Sequence, residues 1–284
     1  MHYNTNLKLK SNIEEGFTSL DVQYDEQHEL AWYRMNAYPR PCFTPELLSE
    51  IQLWFDQLES VNRQPLVKHI VMGSNIPGAF NLGGDLNLFY DLITRNDREG
   101  LMHYAIACIK PLYQIHTGLG KNITTISLVQ GDALGGGFEV AISSDVLIAE
   151  RQAKMGMPEI LFNLFPGMGA YSFLSRKVGT IQAKKMILGG KLYSAEEMYN
   201  LGIVDILAED GEGEKAVYDY LKKEKRFQNG HDAFRQAQRC CDPVSYDELK
   251  EITTIWVDAA LKLEKKDLRM MERLISRQSA KVAD

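Results

Sequence analysis

The segment from Gln130 to Ala170 is the feature that most constrains the fold of this chain. It runs QGDALGGGFEVAISSDVLIAERQAKMGMPEILFNLFPGMGA, and the apolar run TTISLV ends directly before it. This order predicts a buried strand, a glycine loop and then a helix with Glu139 in its first turn. DVLIAE predicts the next strand, and strand–loop–helix units recur through the middle of the chain. The sequence therefore predicts an α/β fold with parallel strands.

The flanking sequence predicts further elements. TSLDVQYDEQHELAWYRMNA alternates as two strands around a polar turn at Asp25 to His28. Thr44 and Pro45 have the residue types of a helix N-cap and of the first helical position, and KHIVMGS predicts a buried strand. The helical run EGLMHYAIACIKPLYQIHTG contains Pro111, which we expect to kink the helix or to mark its boundary.

The C-terminal part differs from the middle, because from about Ala183 onward the sequence is mainly helical. Neither a repeat nor a low-complexity linker separates the two parts. We therefore expect a core over residues 1–210 and a C-terminal helical layer over residues 211–284, joined as one integrated domain.

Composition excludes several classes of function. A net charge of −6 and a pI near 5.6 argue against a nucleic-acid partner, which favours a basic face. No apolar stretch approaches the ~20 residues that cross a bilayer, and the first residues lack the apolar core of a signal peptide. The four cysteines show no paired pattern, so we expect reduced thiols and a cytoplasmic location.

Cofactor motifs are missing from the glycine loop. The chain has no GxGxxG after a strand, no P-loop and no GxSxG elbow, and its six histidines are scattered singly. We therefore expect neither a metal nor a cofactor. What remains is a glycine loop at a helix N-terminus, a combination whose backbone N–H groups can bind an oxyanion. The earlier loop FNLGGDL could supply a second N–H group.

Each of these features also has a simpler interpretation. Both loops could be tight turns with helix caps, Glu139 could merely favour the helix dipole, and Glu159 could start a short turn after Pro158. The spacing alone does not choose between the two interpretations.

Three ordered motifs, FNLGGDL, SLVQGDALGGGFEVAISSDVLIA and MGMPEILFNLFPGMG, together resemble the crotonase (enoyl-CoA hydratase/isomerase) superfamily. Similar elements extend from about residue 19 to residue 205 and include LGGKLYSAEEMYNLGIVD. The resemblance implies a spiral of ββα units with a C-terminal helical region, assembled as a homotrimer or a dimer of trimers. It also implies that Gly84 and Gly136 supply the oxyanion-hole N–H groups and that Glu139 and Glu159 are the catalytic carboxylates.

The chain departs from ordinary hydratases in three places. FNLGGDL stands at residues 80–86 where ordinary hydratases have a sequence similar to FAAGADL, and PGMGAYSFL replaces a PGxGGTQRL pattern. The C-terminal segment EITTIWVDAALKLEKKDLRMMERLI is also unlike that of most hydratases. All three departures are similar to the diffusible-signal-factor synthases, bacterial enzymes that make cis-2-unsaturated fatty-acid quorum signals. In that subfamily a 3-hydroxyacyl thioester of acyl carrier protein is dehydrated to the cis-2-enoyl thioester and then hydrolysed to the free acid.

This resemblance assigns roles to the two glutamates and predicts an acyl pocket. One glutamate takes the α-proton and the other protonates the departing hydroxyl; we favour Glu159 as base and Glu139 as acid, although the sequence leaves either order open. Apolar residues that could surround an acyl chain, or simply pack in the core, are Leu161, Phe162, Leu164, Phe165, Met168 and Trp256.

Two other functions stay open. An enoyl-CoA hydratase of fatty-acid β-oxidation would share the loops and both glutamates, but would use CoA and would not hydrolyse the thioester. A crotonase-fold binding or scaffold protein is the second alternative, and retention of both glutamates counts against it. The resemblance also implies two partners: an acyl-ACP or acyl-CoA substrate and a cognate signal-sensing protein.

Overall fold

The computed structural model describes residues 16–60 and 66–280. The ends of the predicted core and of the predicted helical layer, residues 1–15 and 281–284, lie outside the described residues. The strands are β1 (Leu20–Asp25), β2 (Leu30–Met35), β3 (His69–Ser74), β4 (Ala79–Asn81), β5 (Thr124–Val129), β6 (Asp132–Leu134), β7 (Val146–Glu150), β8 (Lys154–Gly156), β9 (Leu192–Ser194) and β10 (Ile206–Ala208). The α-helices are α1 (Pro45–Glu59), α2 (Leu86–Thr94), α3 (Arg98–His116), α4 (Gly136–Ser143), α5 (Ala170–Gly189), α6 (Ala195–Asn200), α7 (Gly213–Arg226), α8 (Gln228–Cys241), α9 (Tyr246–Ala260) and α10 (Lys265–Ala280).

Two sheets share these strands. The larger has the order β1-β2-β3-β5-β7-β10, and the smaller has the order β4-β6-β8-β9. Three successive strand pairs, β3–β4, β5–β6 and β7–β8, each place one strand in the larger sheet and the next in the smaller one, and a helix follows each pair. The pairings are parallel except those of β1 with β2 and β8 with β9. The predicted α/β fold with parallel strands is confirmed.

Two predictions from local sequence signals are confirmed. Thr44 caps α1, since its side chain accepts a hydrogen bond from the Leu47 N–H at 3.2 Å. The predicted hairpin forms between β1 and β2 around a 3-10 helix, Glu26–His28.

Pro111 does not end its helix, so of the two predicted outcomes, a kink or a boundary, the boundary is wrong. Helix α3 continues through Pro111 to His116, although proline cannot donate the intrahelical hydrogen bond at this position. Contacts with α1 on one side and α9 on the other hold α3 in the core, and this packing outweighs the local cost.

The C-terminal helices pack on the α/β core. Helix α9 lies against α3, and α10 lies against α2 and against the 3-10 helix Pro158–Phe162. No helix within the described ranges is long and apolar enough to cross a membrane.

The smaller sheet brings three loops together. Strands β4, β6 and β8 run parallel as neighbours, so the segments that follow them leave from the same edge. These segments contain Gly83 and Gly84, Gly135 and Gly136, and Glu159.

Candidate active site

A cavity of about 490 Å³ lies at this edge of the smaller sheet. Gly84, Gly136, Glu139 and Glu159 all line it, so the structure brings together the four residues for which the resemblance implied catalytic roles. Most of the remaining lining is apolar and comes from α2, α3, α9, α10 and the segment after β8. The cavity therefore places two carboxylates in surroundings suited to an apolar ligand.

Glu139 is held in a fixed position. Its side chain is 1% exposed, and its Oε1 accepts hydrogen bonds from the backbone N–H groups of Met168 at 2.8 Å and Ala170 at 2.9 Å. Ala170 is the first residue of α5, so the carboxylate also lies at the positive end of that helix. Burial raises the pKa of Glu139 to about 7, and the Ala170 and Met168 N–H groups oppose this rise.

Glu159 has a less restrained carboxylate. It lies in the 3-10 helix that follows Pro158, and its buried Oε2 atom has no hydrogen-bond partner among the described residues. Burial and, second, the nearby charge of Glu139 raise the pKa of Glu159 to about 8. The Oε2 atom is therefore available to a ligand or to a proton.

The raised pKa values of the pair favour one protonated and one ionised carboxyl near neutral pH. Glu139 ionises first, because two N–H groups stabilise its anion, and its charge then holds the proton on Glu159. Because both pKa values are raised toward neutrality, either carboxyl can hold a proton near neutral pH. One carboxylate and one carboxylic acid thus coexist in the cavity, and either glutamate can be the acid.

The two glycine loops are in direct contact. A Cβ atom on Gly136 would lie 3.6 Å from the Gly84 nitrogen, and one on Gly83 would lie 3.2 Å from the Gly136 nitrogen. Within the described part of the chain, neither the Gly84 N–H nor the Gly136 N–H donates a hydrogen bond to a protein acceptor. Two unused donors therefore stand side by side at the cavity wall, as an oxyanion hole requires.

Gly135 shows why glycine is needed here. Its φ is 52°, in the left-handed region that favours glycine, and a side chain on it would collide with the Glu159 carboxylate. The loop can thus pass close to the carboxylate and still start helix α4.

The predicted acyl pocket needs one correction. Leu161, Phe162, Leu164, Met168 and Trp256 line the cavity. Phe165 does not line it and packs against the hydrophobic core instead. Leu164, directly before it, faces the cavity, and consecutive side chains of a non-helical segment point in different directions.

Several lining residues were missed by the sequence analysis. Two of them, Leu86 and Phe89, lie in α2 directly after the first glycine loop. The others come from helices that are distant in sequence from the loops: Tyr104, Ala105, Cys108 and Leu274. The apolar face of α3 was visible in its periodicity, but the pattern does not show whether a face borders a cavity or a packed core.

The site defines a class of chemistry. Two glutamates that share one proton can transfer protons at adjacent carbon atoms, while two N–H groups stabilise an enolate oxygen. No group of His, Cys, Asp and Glu side chains within residues 16–60 and 66–280 could hold a metal ion. The chemistry that the site supports is acid–base catalysis on a carbonyl compound.

Comparison with known proteins gives the family. The family model for Enoyl-CoA hydratase/isomerase matches residues 34–237, more than half of the chain. The chain belongs to this family, whose enzymes hydrate or isomerise enoyl-CoA thioesters, and its fold is the crotonase-like fold with a C-terminal helical region.

Curated relatives match over part of their length. "Probable enoyl-CoA hydratase 2, mitochondrial" from Arabidopsis thaliana is 32% identical over 173 residues, which is 61% of this chain and 54% of that protein. Mouse mitochondrial methylglutaconyl-CoA hydratase is 27% identical over 197 residues, 67% of this chain and 58% of that protein. The chain thus spans little more than half the length of these relatives.

Solved structures share the fold. Pseudomonas aeruginosa DspI superposes with a TM-score of 0.70 at 26% identity, covering 88% of this chain and 98% of DspI. Human mitochondrial delta3-delta2-enoyl-CoA isomerase superposes with a TM-score of 0.77 at 16% identity, covering 92% of this chain and 98% of that one. Enoyl-CoA hydratase from Bacillus halodurans superposes with a TM-score of 0.76 at 21% identity, covering 90% of this chain and 100% of that one.

Proposed function

We propose that this protein is a diffusible-signal-factor synthase. It dehydrates a 3-hydroxyacyl thioester to the cis-2-enoyl thioester and then hydrolyses it to the free cis-2-unsaturated fatty acid. The observation that carries the proposal is the pair Glu139 and Glu159, placed in one largely apolar cavity beside the N–H groups of Gly84 and Gly136.

Dehydration uses both glutamates. The thioester oxygen accepts from the Gly84 and Gly136 N–H groups, which lowers the cost of removing the α-proton. Glu159 takes the α-proton and Glu139 protonates the β-hydroxyl, which leaves as water. Because the pKa values of both glutamates are raised toward neutrality, Glu139 can hold the proton that the departing hydroxyl needs.

Hydrolysis then reuses the site. An ionised glutamate activates a water molecule, which attacks the thioester carbonyl, and the oxygen that gains charge stays in the oxyanion hole. The C–S bond breaks, the thiolate of the carrier takes a proton and the free acid leaves.

Three sequence departures support this function over that of a plain hydratase. NLGGD at residues 81–85, PGMGAYSFL and the Trp256 helix all contribute to the cavity wall.

The proposal includes the surroundings of the enzyme. The substrate carrier is acyl carrier protein, with CoA as the alternative; the assembly is a homotrimer or a multiple of it in the cytoplasm; and a signal-sensing protein is a partner. Light scattering tests the assembly, and a monomer at all working concentrations would contradict it.

The decisive experiment follows product geometry and thioester loss together. Purified protein is incubated with 3-hydroxyacyl carrier protein and, in parallel, with the 3-hydroxyacyl-CoA. We expect free cis-2-enoic acid from the carrier-protein substrate. Trans-2-enoyl product on an intact thioester would instead assign the protein as an enoyl-CoA hydratase, and binding without turnover would favour the scaffold alternative.

A chain-length series tests the acyl pocket. Each misplaced methylene in an apolar pocket costs about 1–3 kcal/mol of discrimination, so activity should peak sharply near one length. Trp256 is 6% exposed and packs against Phe89 at 4.9 Å between ring centroids. Trp256→Leu should therefore move or broaden the peak, and an unchanged profile would remove Trp256 from the pocket.

A further inference from the structure

We propose that the Tyr104 hydroxyl positions the Gly84 N–H for catalysis. This inference rests on the proposed function, because it assigns a supporting residue to the same oxyanion hole. Tyr104 belongs to α3, is 5% exposed and lines the cavity. Its role follows from the hydrogen bonds around Gly84.

The Tyr104 hydroxyl joins two chain segments. It donates to the Phe43 carbonyl at 2.5 Å and accepts from the Asp85 N–H at 3.0 Å. Asp85 directly follows Gly84, and Phe43 forms a parallel bridge with Gly84. A single hydroxyl thus ties together the two chain segments that hold the proposed donor. Burial raises the pKa of Tyr104 well above its usual value, so its proton stays in place.

Other contacts restrain the same loop. The Gly83 N–H donates to Asn81 Oδ1 at 2.8 Å, and the Gly83 carbonyl accepts from the Phe43 N–H at 2.8 Å. The Asp85 carboxylate pairs with both terminal nitrogens of Arg40, at 2.5 and 3.0 Å. The neighbours of Gly84 on both sides are therefore tied, while the Gly84 N–H itself stays unused. Of the residues whose side chains make these contacts, Tyr104 also lines the cavity, and it belongs to helix α3.

The direct test is Tyr104→Phe, which removes the hydroxyl and keeps the ring against Phe89. Tyr24→Phe is the matched control, because the buried Tyr24 hydroxyl accepts from Trp54 Nε1 at 2.9 Å and Tyr24 does not line the cavity. We expect kcat for dehydration to fall about tenfold to a hundredfold in Tyr104→Phe, somewhat less than removal of a donor outright. KM should change by less than about twofold, because the group acts mainly in the transition state. Tyr24→Phe should keep the wild-type kcat.

A second readout does not depend on the reaction. A saturated acyl-CoA with a ¹³C carbonyl, which has no β-hydroxyl to eliminate, is bound to the Glu159→Gln variant and its infrared band is recorded. Hydrogen bonds from the oxyanion hole should move the carbonyl band to lower wavenumber. Adding Tyr104→Phe should remove most of this shift, whereas adding Tyr24→Phe should keep it.

The outcomes separate the two proposals. A Tyr104-dependent carbonyl shift in a protein that dehydrates nothing would overturn the proposed function and keep the positioning role. Normal kcat and an unchanged band in folded Tyr104→Phe would overturn the positioning role alone, as would a rise in KM without a fall in kcat. If Tyr104→Phe does not fold, Tyr104→Met replaces it, because methionine also lacks the hydroxyl: a lower kcat together with a reduced carbonyl shift supports the inference, and wild-type values of both overturn it.

Discussion

Two buried glutamate sites in this molecule have opposite properties. Glu224 is 2% exposed and contacts His69 Nε2 at 2.7 Å and the Arg235 guanidinium. Burial by itself would raise the pKa of Glu224, but the hydrogen bonds and charges of His69 and Arg235 outweigh it and lower the pKa to about 2. Glu139 and Glu159, in contrast, form no ion pair with a cationic side chain of the described chain, and their pKa values rise to about 7 and 8.

The opposite pKa shifts follow from the presence or absence of cationic partners. At Glu224 the charge is compensated, so the carboxylate stays ionised and joins α7, α8 and β3. In the cavity the charge is uncompensated, so the proton becomes exchangeable near neutral pH. Burial without a cation is expensive for the fold and is the usual mark of a functional group. Substitutions at the two sites should therefore have different effects.

The largest effect should be on activity. Glu139→Gln and Glu159→Gln each remove a proton-transfer group and should lower the dehydration rate by about 10²–10⁴-fold with the fold intact. Glu224→Gln should keep near-wild-type kcat per folded molecule, because Glu224 does not line the cavity. The measurement is the dehydration rate of each variant, made on samples whose circular-dichroism spectra match that of the wild type. Near-wild-type dehydration in either cavity variant would remove that glutamate from the mechanism.

The second effect should be a loss of stability on substitution of Glu224. Glu224→Gln leaves the Arg235 charge buried without its anion, and breaking such a pair typically costs about 3–5 kcal/mol. Because Arg235 keeps a contact with Asp232, we expect the lower end of that range. Urea unfolding at pH 7 measures the difference. A cost below about 1 kcal/mol would mean that the Glu224 cluster contributes little to the fold.

The third effect should be on the pH dependence of the rate. Below about pH 7 both cavity glutamates hold protons and the base is missing; above about pH 8 both are ionised and the acid is missing. The plot of kcat/KM should therefore be a narrow bell with its maximum between these values, falling about tenfold per pH unit outside it. Glu224→Gln should show the same bell. A flat profile from pH 5 to 9 would contradict a proton shared by the pair.

The contrast also shows how far the sequence could lead. The strand–glycine loop–helix order predicted the α/β fold and placed Glu139 in the first turn of α4, because these signals are local. The pairing of β4, β6 and β8, which brings Glu159 to Gly135, is set by tertiary contacts, and only the family resemblance indicated it.

Other features could not be predicted for the same reason. Phe165 and its neighbour Leu164 were both assigned to the pocket by their position in an apolar run, yet only Leu164 of these two lines the cavity. Tyr104 and Glu224 lie in ordinary helical patterns, and their partners Phe43 and His69 are remote in sequence. Long-range hydrogen bonds of this kind leave no periodic signal.

The smallest effect should be on how the free energy of unfolding changes with pH. Glu159 has a folded-state pKa of about 8 against 4.5 as its ordinary value, so the folded protein binds more protons between these values and loses stability as pH rises through them. Glu159→Gln cannot ionise and avoids this loss.

Relative to wild type, the free energy of unfolding of Glu159→Gln should therefore increase from pH 5 to pH 9, by about 1–2 kcal/mol once solvent in the cavity is allowed for. Glu139→Gln should gain less, because the Glu139 anion is stabilised by the Met168 and Ala170 N–H groups. Glu224→Gln should show the opposite trend: its deficit is complete above pH 4.5 and shrinks as the pH falls toward 2, where the wild-type Glu224 also becomes protonated. Urea unfolding of the four proteins at pH 3.5, 5, 7 and 9 measures these slopes. A difference between Glu159→Gln and wild type that stays constant with pH would show that the cavity carboxylate is ionised at no cost, and the contrast with Glu224 would fail.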